Sequence, residues 1–219
     1  MPMLKGQGAI RDPSLRFPKH HVPHRRQSVW RGCAGCSTEV PMMLIQRASA
    51  FARARHAGQT RKGAAAEPYD IHLEEVAALV TGWGAPEAWI AAAWLHDTVE
   101  DCPPTSLTEL EALFGAQVAG LVGELTDDKA LPKPARKAAQ LAHAPGRSDG
   151  AALIKIADKT SNVRALRVSA PVHWDGARKR AYMDWAAAVV AALPAGHTAA
   201  RADFARELAA SRAAVGDAA

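Results

Sequence analysis

The stretch Ala93-Trp94-Leu95-His96-Asp97-Thr98-Val99-Glu100-Asp101 ("AWLHDTVED") closes an apolar run with one imidazole and three carboxylates. In helical geometry His96 and Glu100 lie four residues apart, as do Asp97 and Asp101, while Asp97 and Glu100 are three apart. All four therefore share one broad face. Placing a neutral polar group in apolar surroundings without a partner costs on the order of 2–7 kcal/mol, and an isolated charge far more. Either these acids form a solvated helix end and pair with lysines elsewhere, or they hold a metal ion, and the rest of the chain has to decide.

The 219 residues suit one substantial domain with dispensable ends, and 48% hydrophobic with only 5% aromatic residues fits an alanine-rich helical protein. No apolar run approaches the roughly 18 residues of a membrane span, and the N-terminal residues lack a charged-then-apolar signal pattern, so a cytoplasmic location is expected. Three cysteines, Cys33, Cys36 and Cys102, are an odd number and argue against a disulfide scaffold.

The net charge of +5 is unevenly placed. Residues 1–41 hold Lys5, Arg11, Arg16, Lys19, Arg25, Arg26 and Arg31 against only Asp12 and Glu39, which leaves 20 basic and 20 acidic residues for the remainder. A neutral body offers no basic patch for nucleic acid, so such a partner is expected only if the arm itself binds it. With its prolines, glycines and weak apolar periodicity, 1–41 reads as a disordered basic extension, or as sequence upstream of a natural start near Met42 or Met43. Cys33-x-x-Cys36 with His20, His21 and His24 is an alternative zinc site there, although order and spacing are poor for known fingers.

From Leu44 onward the pattern is helical. Leu44, Ala48, Phe51, Ala52 and Arg55 recur at spacings of three and four, and so do Val76, Leu79, Val80 and Trp83. Pro86 suits the first turn of a helix running into His96, Ser106-x-x-Glu109 reads as a capping box, Gly115 as a stop, and Gln117–Leu125 as a short helix. Further helices are expected over Pro134–His143, Ala151–Leu166, Asp175–Leu193 and Thr198–Val215, with no strand and no internal repeat. The expectation is an all-α bundle with a metal site in its core, residues 42–195 forming the functional domain and 196–219 a C-terminal helix and tail.

Two more segments bear on the opening question. His72 begins a helical segment, and Asp158 follows the apolar run Leu153, Ile154 and Ile156. With His96 and Asp97 they give two imidazoles and two carboxylates from three helices, a common way to build a metal site in a bundle core. Such mixed nitrogen and oxygen ligands suit Mn²⁺, Fe²⁺, Co²⁺ or Zn²⁺.

The order His72, His96-Asp97, Asp158, together with "HDTVED", "ADKTSNVRAL" and the segment from Leu125 to Lys159, resembles the HD-domain hydrolases of the RelA/SpoT group. The likeness runs from about Leu44 to Leu193 and is to the stand-alone small alarmone hydrolases of metazoan SpoT type; the chain has no room for the synthetase and regulatory domains of the long bifunctional enzymes. What the resemblance implies is hydrolysis of the 3′-pyrophosphate of (p)ppGpp to GDP or GTP and pyrophosphate. The ion would be Mn²⁺ or another divalent transition metal, held by His72, His96, Asp97 and Asp158. Glu100 and Asp101 match the family's acidic pair, placed to orient or deprotonate a water; support of the histidines is their alternative role.

Arg61 and Lys62 match the family's basic pair near base and phosphates, and Asn162 matches an asparagine one turn after the metal aspartate. Lys129 and Lys133, with Arg136 and Lys137, are candidates for the phosphate entrance, Tyr182 for a further contact, and His56 for a packed rather than ligating role. Leu73 stands where the family usually has proline, Asp70 where it is usually apolar, and Thr160-Ser161 where it is bulkier; the last change borders the expected base pocket and bears on guanine preference. The alternatives are a related phosphohydrolase acting on (p)ppApp or NADPH, and a non-catalytic nucleotide-binding sensor. Oligomeric state is not legible in the sequence.

Overall fold

The computed structural model describes residues 43–216, and the readings made above for residues 1–41, including the zinc alternative, lie outside the described residues. Helices α1 (Leu44–Arg55), α2 (Asp70–Gly82) and α3 (Glu87–Leu95) come first. The single turn α4 (Thr98–Asp101), α5 (Leu107–Phe114) and α6 (Ala116–Leu125) follow. Then come α7 (Lys133–His143), a 3₁₀ turn (Ala144–Gly146), α8 (Asp149–Val168), α9 (Gly176–Ala192) and α10 (Thr198–Gly216). Among the described residues there is no strand, only two isolated antiparallel bridges, Thr60 with Pro68 and Gly63 with Pro171. The all-α expectation holds.

Two helices organise the packing. Every residue of α3 from Ile90 to Leu95 is buried, as is every residue of α8 from Gly150 to Ser161. A helix buried on all sides has to be surrounded, and α8, polar residues included, packs against α2, α3, α6, α9 and α10. Leu73 and Val76 from α2, Leu95 from α3, Ile154 and Ile156 from α8 and Met183 from α9 are fully enclosed in one core. Leu73, where the family usually has proline, is thus a packing residue.

Boundaries differ from the sequence reading by a residue or two, each for a local reason. Pro86 caps α3 from outside rather than opening it. Helix α8 starts at Asp149 because the Ser148 hydroxyl accepts from the Ala151 amide at 3.4 Å, and α9 starts at Gly176 because the Asp175 carboxylate accepts from the Arg178 amide at 2.7 Å. Gly115 ends α5 as expected, at φ +89°. The capping box is only half made: Ser106 Oγ accepts from the Glu109 amide at 3.2 Å, but the Glu109 carboxylate is taken by Arg55 of α1.

The opening stretch also departs from one continuous face. Helix α3 stops at Leu95, His96 and Asp97 form a turn, and α4 resumes at Thr98. The side chains of the turn bond the carbonyls that a continuing helix would have used. His96 Nδ1 donates to Ala93 O at 2.8 Å, and Thr98 Oγ1 donates to Leu95 O at 2.7 Å. The register of one continuous helix is thus interrupted, although Asp97, Glu100 and Asp101 still line one cavity.

A close approach sets one sensitive position. A β-carbon on Gly150 would sit 2.9 Å from Leu121 Cδ2 and 2.9 Å from the Trp89 ring, where α8 meets α6 and α3. Alanine gains up to about 1 kcal/mol over glycine in helix propensity, whereas overpacking a core costs about 1–3 kcal/mol. Gly150→Ala is expected to lower stability in urea unfolding by about 1–2 kcal/mol; a stability gain would show that the Trp89 indole moves aside freely.

Candidate functional site

Four side chains from three regions converge below the α3–α4 turn. His72 comes from α2, His96 and Asp97 from the turn, and Asp158 from the middle of α8. His72 Nε2 lies 3.7 Å from Asp97 Oδ2 and 3.6 Å from Asp158 Oδ1, and His96 Nε2 lies 3.2 Å from Asp97 Oδ2. His72, His96 and Asp158 are buried and each offers a ligand atom within 4.8 Å of the others'; Asp97, partly buried, flanks both rings.

These residues fit a divalent cation on a specific observation. His96 Nδ1 is committed to the Ala93 carbonyl, and His96 Nε2 is buried without a hydrogen-bond partner. A buried imidazole nitrogen whose polar neighbours are the carboxylates of Asp97, 3.2 Å away, and Asp158 is the kind of position a metal ligand takes. The protonation energetics agree. Burial disfavours the charged form of both rings and, with His96 alongside, holds His72 down at about 4, yet Asp97 lifts His96 to about 9 against that burial. The cluster attracts positive charge, and a dication satisfies it more fully than one proton. Asp158 is held at about 2 although burial opposes ionisation, because Lys159 and Lys155 stand beside it.

Around this centre runs a ring of supporting groups. The Tyr69 hydroxyl donates to Asp97 Oδ2 at 2.6 Å, and burial followed by the Asp97 charge raises its pKa, so it stays a phenol. Its ring stacks on His56 at 4.8 Å, and His56 Nδ1 is 2.8 Å from Gln59 Oε1, so His56 is packed and hydrogen-bonded. Asn162 Nδ2 donates to Asp158 Oδ1 at 2.5 Å. Lys159 Nζ lies 3.1 Å from Asp158 Oδ2 and 4.4 Å from the centre of the Trp185 ring.

The centre opens into a cavity of about 360 Å³. Asp97, Glu100, Asp101, Asp127 and Asp158 are its acidic lining. Arg61, Lys62, Lys133, Arg136, Lys137 and Lys159 are its basic lining, together with Trp174, Tyr182 and Trp185. Lys133 lies 5.8 Å over Trp174, and Lys137 4.6 Å over Trp185 and 5.4 Å over Tyr182.

The Arg61–Lys62 loop is held by Arg61 N to Glu67 O at 2.8 Å and Tyr69 N to Gln59 O at 2.9 Å; at Gly63 it passes so near Ser169 that a β-carbon would collide. Arg61 Nη2 reaches Asn162 Oδ1 at 3.4 Å, which joins the basic loop to α8. Lys129 is not part of the cavity wall: it is exposed and pairs with Asp101.

Glu100 accepts from the Asp127 amide at 3.2 Å, and Arg136 stands 3.8 Å from its other oxygen. Burial, then the Asp97 and Asp127 charges, pushes its carboxyl up to about 7. At neutral pH such a group can both take and return a proton.

One sequence expectation is overturned. Thr160 and Ser161 are fully buried and do not line the cavity, so they do not border a base pocket. Thr160 Oγ1 donates to Ile156 O at 2.7 Å, and Ser161 Oγ contacts His72 Nδ1 at 2.8 Å. Asp70 sits at the first turn of α2, with Arg53 4.0 Å away. Sequence reasoning missed Tyr69, Lys155, Lys159, Trp174 and Trp185. The spacing of Lys155 and Lys159 around Asp158 in an apolar helix was the available signal for the lysines.

An all-helical bundle enclosing paired histidines and aspartates is the architecture of an HD protein, and the family model described as the HD domain matches residues 48–184. The chain belongs to the HD-domain family. Within it, the chain is 46% identical over 155 residues to the human guanosine-3′,5′-bis(diphosphate) 3′-pyrophosphohydrolase MESH1, covering 68% of this chain and 84% of that one. The solved structure of a metazoan SpoT orthologue, described as hydrolysing ppGpp and playing a role in starvation responses, matches 78% of this chain and 96% of its own. Its TM-score is 0.73, at 35% identity. The GTP pyrophosphokinase rsh of Brucella ovis is 38% identical over 136 residues, which span 59% of this chain but 18% of that protein. The resemblance to the RelA/SpoT group is borne out.

The Asp158–Lys159 pair makes a stability prediction. Removing one partner of a buried ion pair costs on the order of 3–5 kcal/mol, because the other charge is left stranded. Asp158→Ala is expected to lose that much in urea unfolding of the metal-free protein, and the double Asp158→Leu/Lys159→Leu variant to recover most of it. A single variant as stable as the parent would mean that water or another acid compensates Lys159.

Proposed function

We propose that the protein hydrolyses the 3′-pyrophosphate of (p)ppGpp, giving GDP or GTP and pyrophosphate, with a divalent ion held by His72, His96, Asp97 and Asp158. The observation that carries this reading is the junction of that cluster, with His96 Nε2 turned to its carboxylates, and a cavity that cationic and aromatic side chains also line. The ion is proposed to be Mn²⁺, other divalent transition metals being compatible with the ligand set. The likeness to pyrophosphohydrolases and to a ppGpp-hydrolysing orthologue supports the substrate. The catalytic unit is proposed to occupy residues 42–195, with 196–219 as an appended helix and tail and residues 1–41 as a basic extension. The protein is proposed to work in the cytoplasm on a small nucleotide; among the described residues no helix is long and apolar enough to cross a membrane.

When bound, the ion makes a nearby water easier to deprotonate and neutralises charge gathering on phosphoryl oxygens. The chain's own groups do the rest. Glu100 takes the proton from the attacking water as its oxygen bonds to the phosphorus on O3′. The P–O3′ bond then breaks, pyrophosphate departs, and the ribose oxygen receives a proton to become the 3′-hydroxyl. Asp101, held by Lys129, faces the same cavity and is proposed to steady the water or return that proton.

Arg61, Lys62 and Lys133 meet the phosphates, and the Arg61 guanidinium can bind them in bidentate fashion. Asn162 keeps Asp158 and Arg61 in register. Tyr182 and the two tryptophans line the same cavity and supply aromatic contact for a base.

The test is to strip the protein of metal and incubate it with and without Mn²⁺ against ppGpp, pppApp and NADPH, resolving products by ion exchange. Mn²⁺-dependent pyrophosphate release from ppGpp is the expected result. Preference for pppApp or NADPH would reassign the substrate, and bound metal without turnover of any of the three would make the protein a sensor.

Because the Glu100 carboxyl is raised to about 7, the base form is present above that pH and disappears below it. With Glu100 as the general base, turnover should fall tenfold per unit on the acid side of a kcat–pH profile, with a midpoint at or below about 7 because a cation on Asp97 offsets part of the charge that raises Glu100. Glu100→Ala should keep the metal, lose turnover on the order of 10²–10⁴-fold and lack that limb. Retained turnover in Glu100→Ala would remove the residue from the reaction.

A further inference from the structure

Behind His72, on the side away from the cavity, runs a chain of hydrogen bonds that the proposed reaction does not use. His72 Nδ1 lies 2.8 Å from Ser161 Oγ, and the Ser161 hydroxyl donates to Glu75 Oε2 at 2.5 Å. Glu75 is fixed in turn by Arg164, 2.5 Å from Oε1, and by Arg61, 3.8 Å from Oε2. Ser161 is fully buried, and Glu75 is one helical turn beyond His72 on α2, while Ser161 and Arg164 sit three residues apart on α8.

The proton count along this chain has one solution. A carboxylate between two guanidiniums accepts and does not donate, so the single Ser161 hydroxyl proton goes to Glu75. Ser161 Oγ can then only accept from the ring, which requires the proton of neutral His72 to sit on Nδ1. The lone pair is left on Nε2, the nitrogen that faces Asp97 and Asp158 at 3.7 and 3.6 Å. His96 reaches the same state by a different route, through the Ala93 carbonyl. Both rings thus have Nδ1 committed and turn Nε2 toward one point.

We propose that Ser161 and Glu75 are positioning residues for the metal centre, a hydroxyl–carboxylate relay that locks His72 into its ligating tautomer and ring orientation. This rests on the metal reading given under Proposed function. A ring nitrogen held by such an outer partner ligates without having to exchange its proton or turn first. Loss of an outer partner typically costs 10–100-fold in metal affinity. The relay also ties the cavity's Arg61 to the metal histidine through one carboxylate.

The experiment is a Mn²⁺ titration of the metal-stripped full-length chain by calorimetry, with ¹⁵N imidazole spectra of the metal-free protein alongside. In the parent, the His72 spectrum should show a protonated Nδ1 and a bare Nε2. Ser161→Ala should keep helicity and weaken Mn²⁺ binding about 10–100-fold, with the His72 tautomer preference lost. Glu75→Gln, at a partly exposed position that keeps an acceptor oxygen, should weaken binding in the same direction but less.

A parent that binds no Mn²⁺ would sink the metal reading itself. A parent that binds it, with Ser161→Ala binding equally well, would overturn only the relay. If Ser161→Ala fails to fold, the parent spectrum decides, since a His72 protonated on Nε2 contradicts the relay regardless of any variant.

Discussion

Two carboxylates, Asp97 and Asp158, stand against two imidazoles inside a helical core, and the rest of the molecule is arranged around the charge they carry. Removing a carboxylate from water without compensation costs several kcal/mol even after relaxation. The chain spreads that cost. Lys159 and Lys155 hold Asp158 ionised from one side, Asn162 bonds it from another, and Tyr69 bonds Asp97. What these leave over is drawn toward the two Nε2 atoms, where His96 takes up a proton readily and has no other partner. Helix α8 makes the arrangement possible, because a helix enclosed on all sides can carry Asp158 to the centre while its neighbours shield it.

The same arrangement gives the cavity its polarity. Acidic, cationic and aromatic groups all line it, so a ligand with a ring system and several phosphates finds both a metal-attracting cluster and groups that take phosphate and base. Lys133 and Lys137 lie over aromatic rings rather than being paired with acids, and burial and neighbouring cations lower their affinity for protons. An incoming polyanion relieves that repulsion. The Arg61 loop and α8, joined through Asn162, hold a cavity arginine and Asp158 in one frame.

Much of this was legible in the residues. Helical periodicity from Leu44 onward, the cap at Ser106, and the spacing of His72, His96, Asp97 and Asp158 all follow from local rules that the fold obeys. What escaped were features decided by distant partners or by competition. The turn at His96–Asp97 forms because a ring and a hydroxyl capture the carbonyls of Ala93 and Leu95, which a count of three and four residues does not foresee. Glu109 looked like half of a capping box and was claimed by Arg55, fifty-four positions away. Ser161 looked like an altered pocket wall and lies behind His72, since the direction of a side chain on a helix enclosed on every side cannot be read from its neighbours in sequence.

The central claim is that the buried His–Asp cluster exists to hold one divalent ion. It is tested most directly by crystals of the full-length protein grown with Mn²⁺, with data collected on both sides of the manganese absorption edge. The account predicts a single strong anomalous peak bounded by His72 Nε2, His96 Nε2 and the carboxylates of Asp97 and Asp158. A folded protein with no peak there, or with its peak between Glu100 and Asp101 instead, would contradict it.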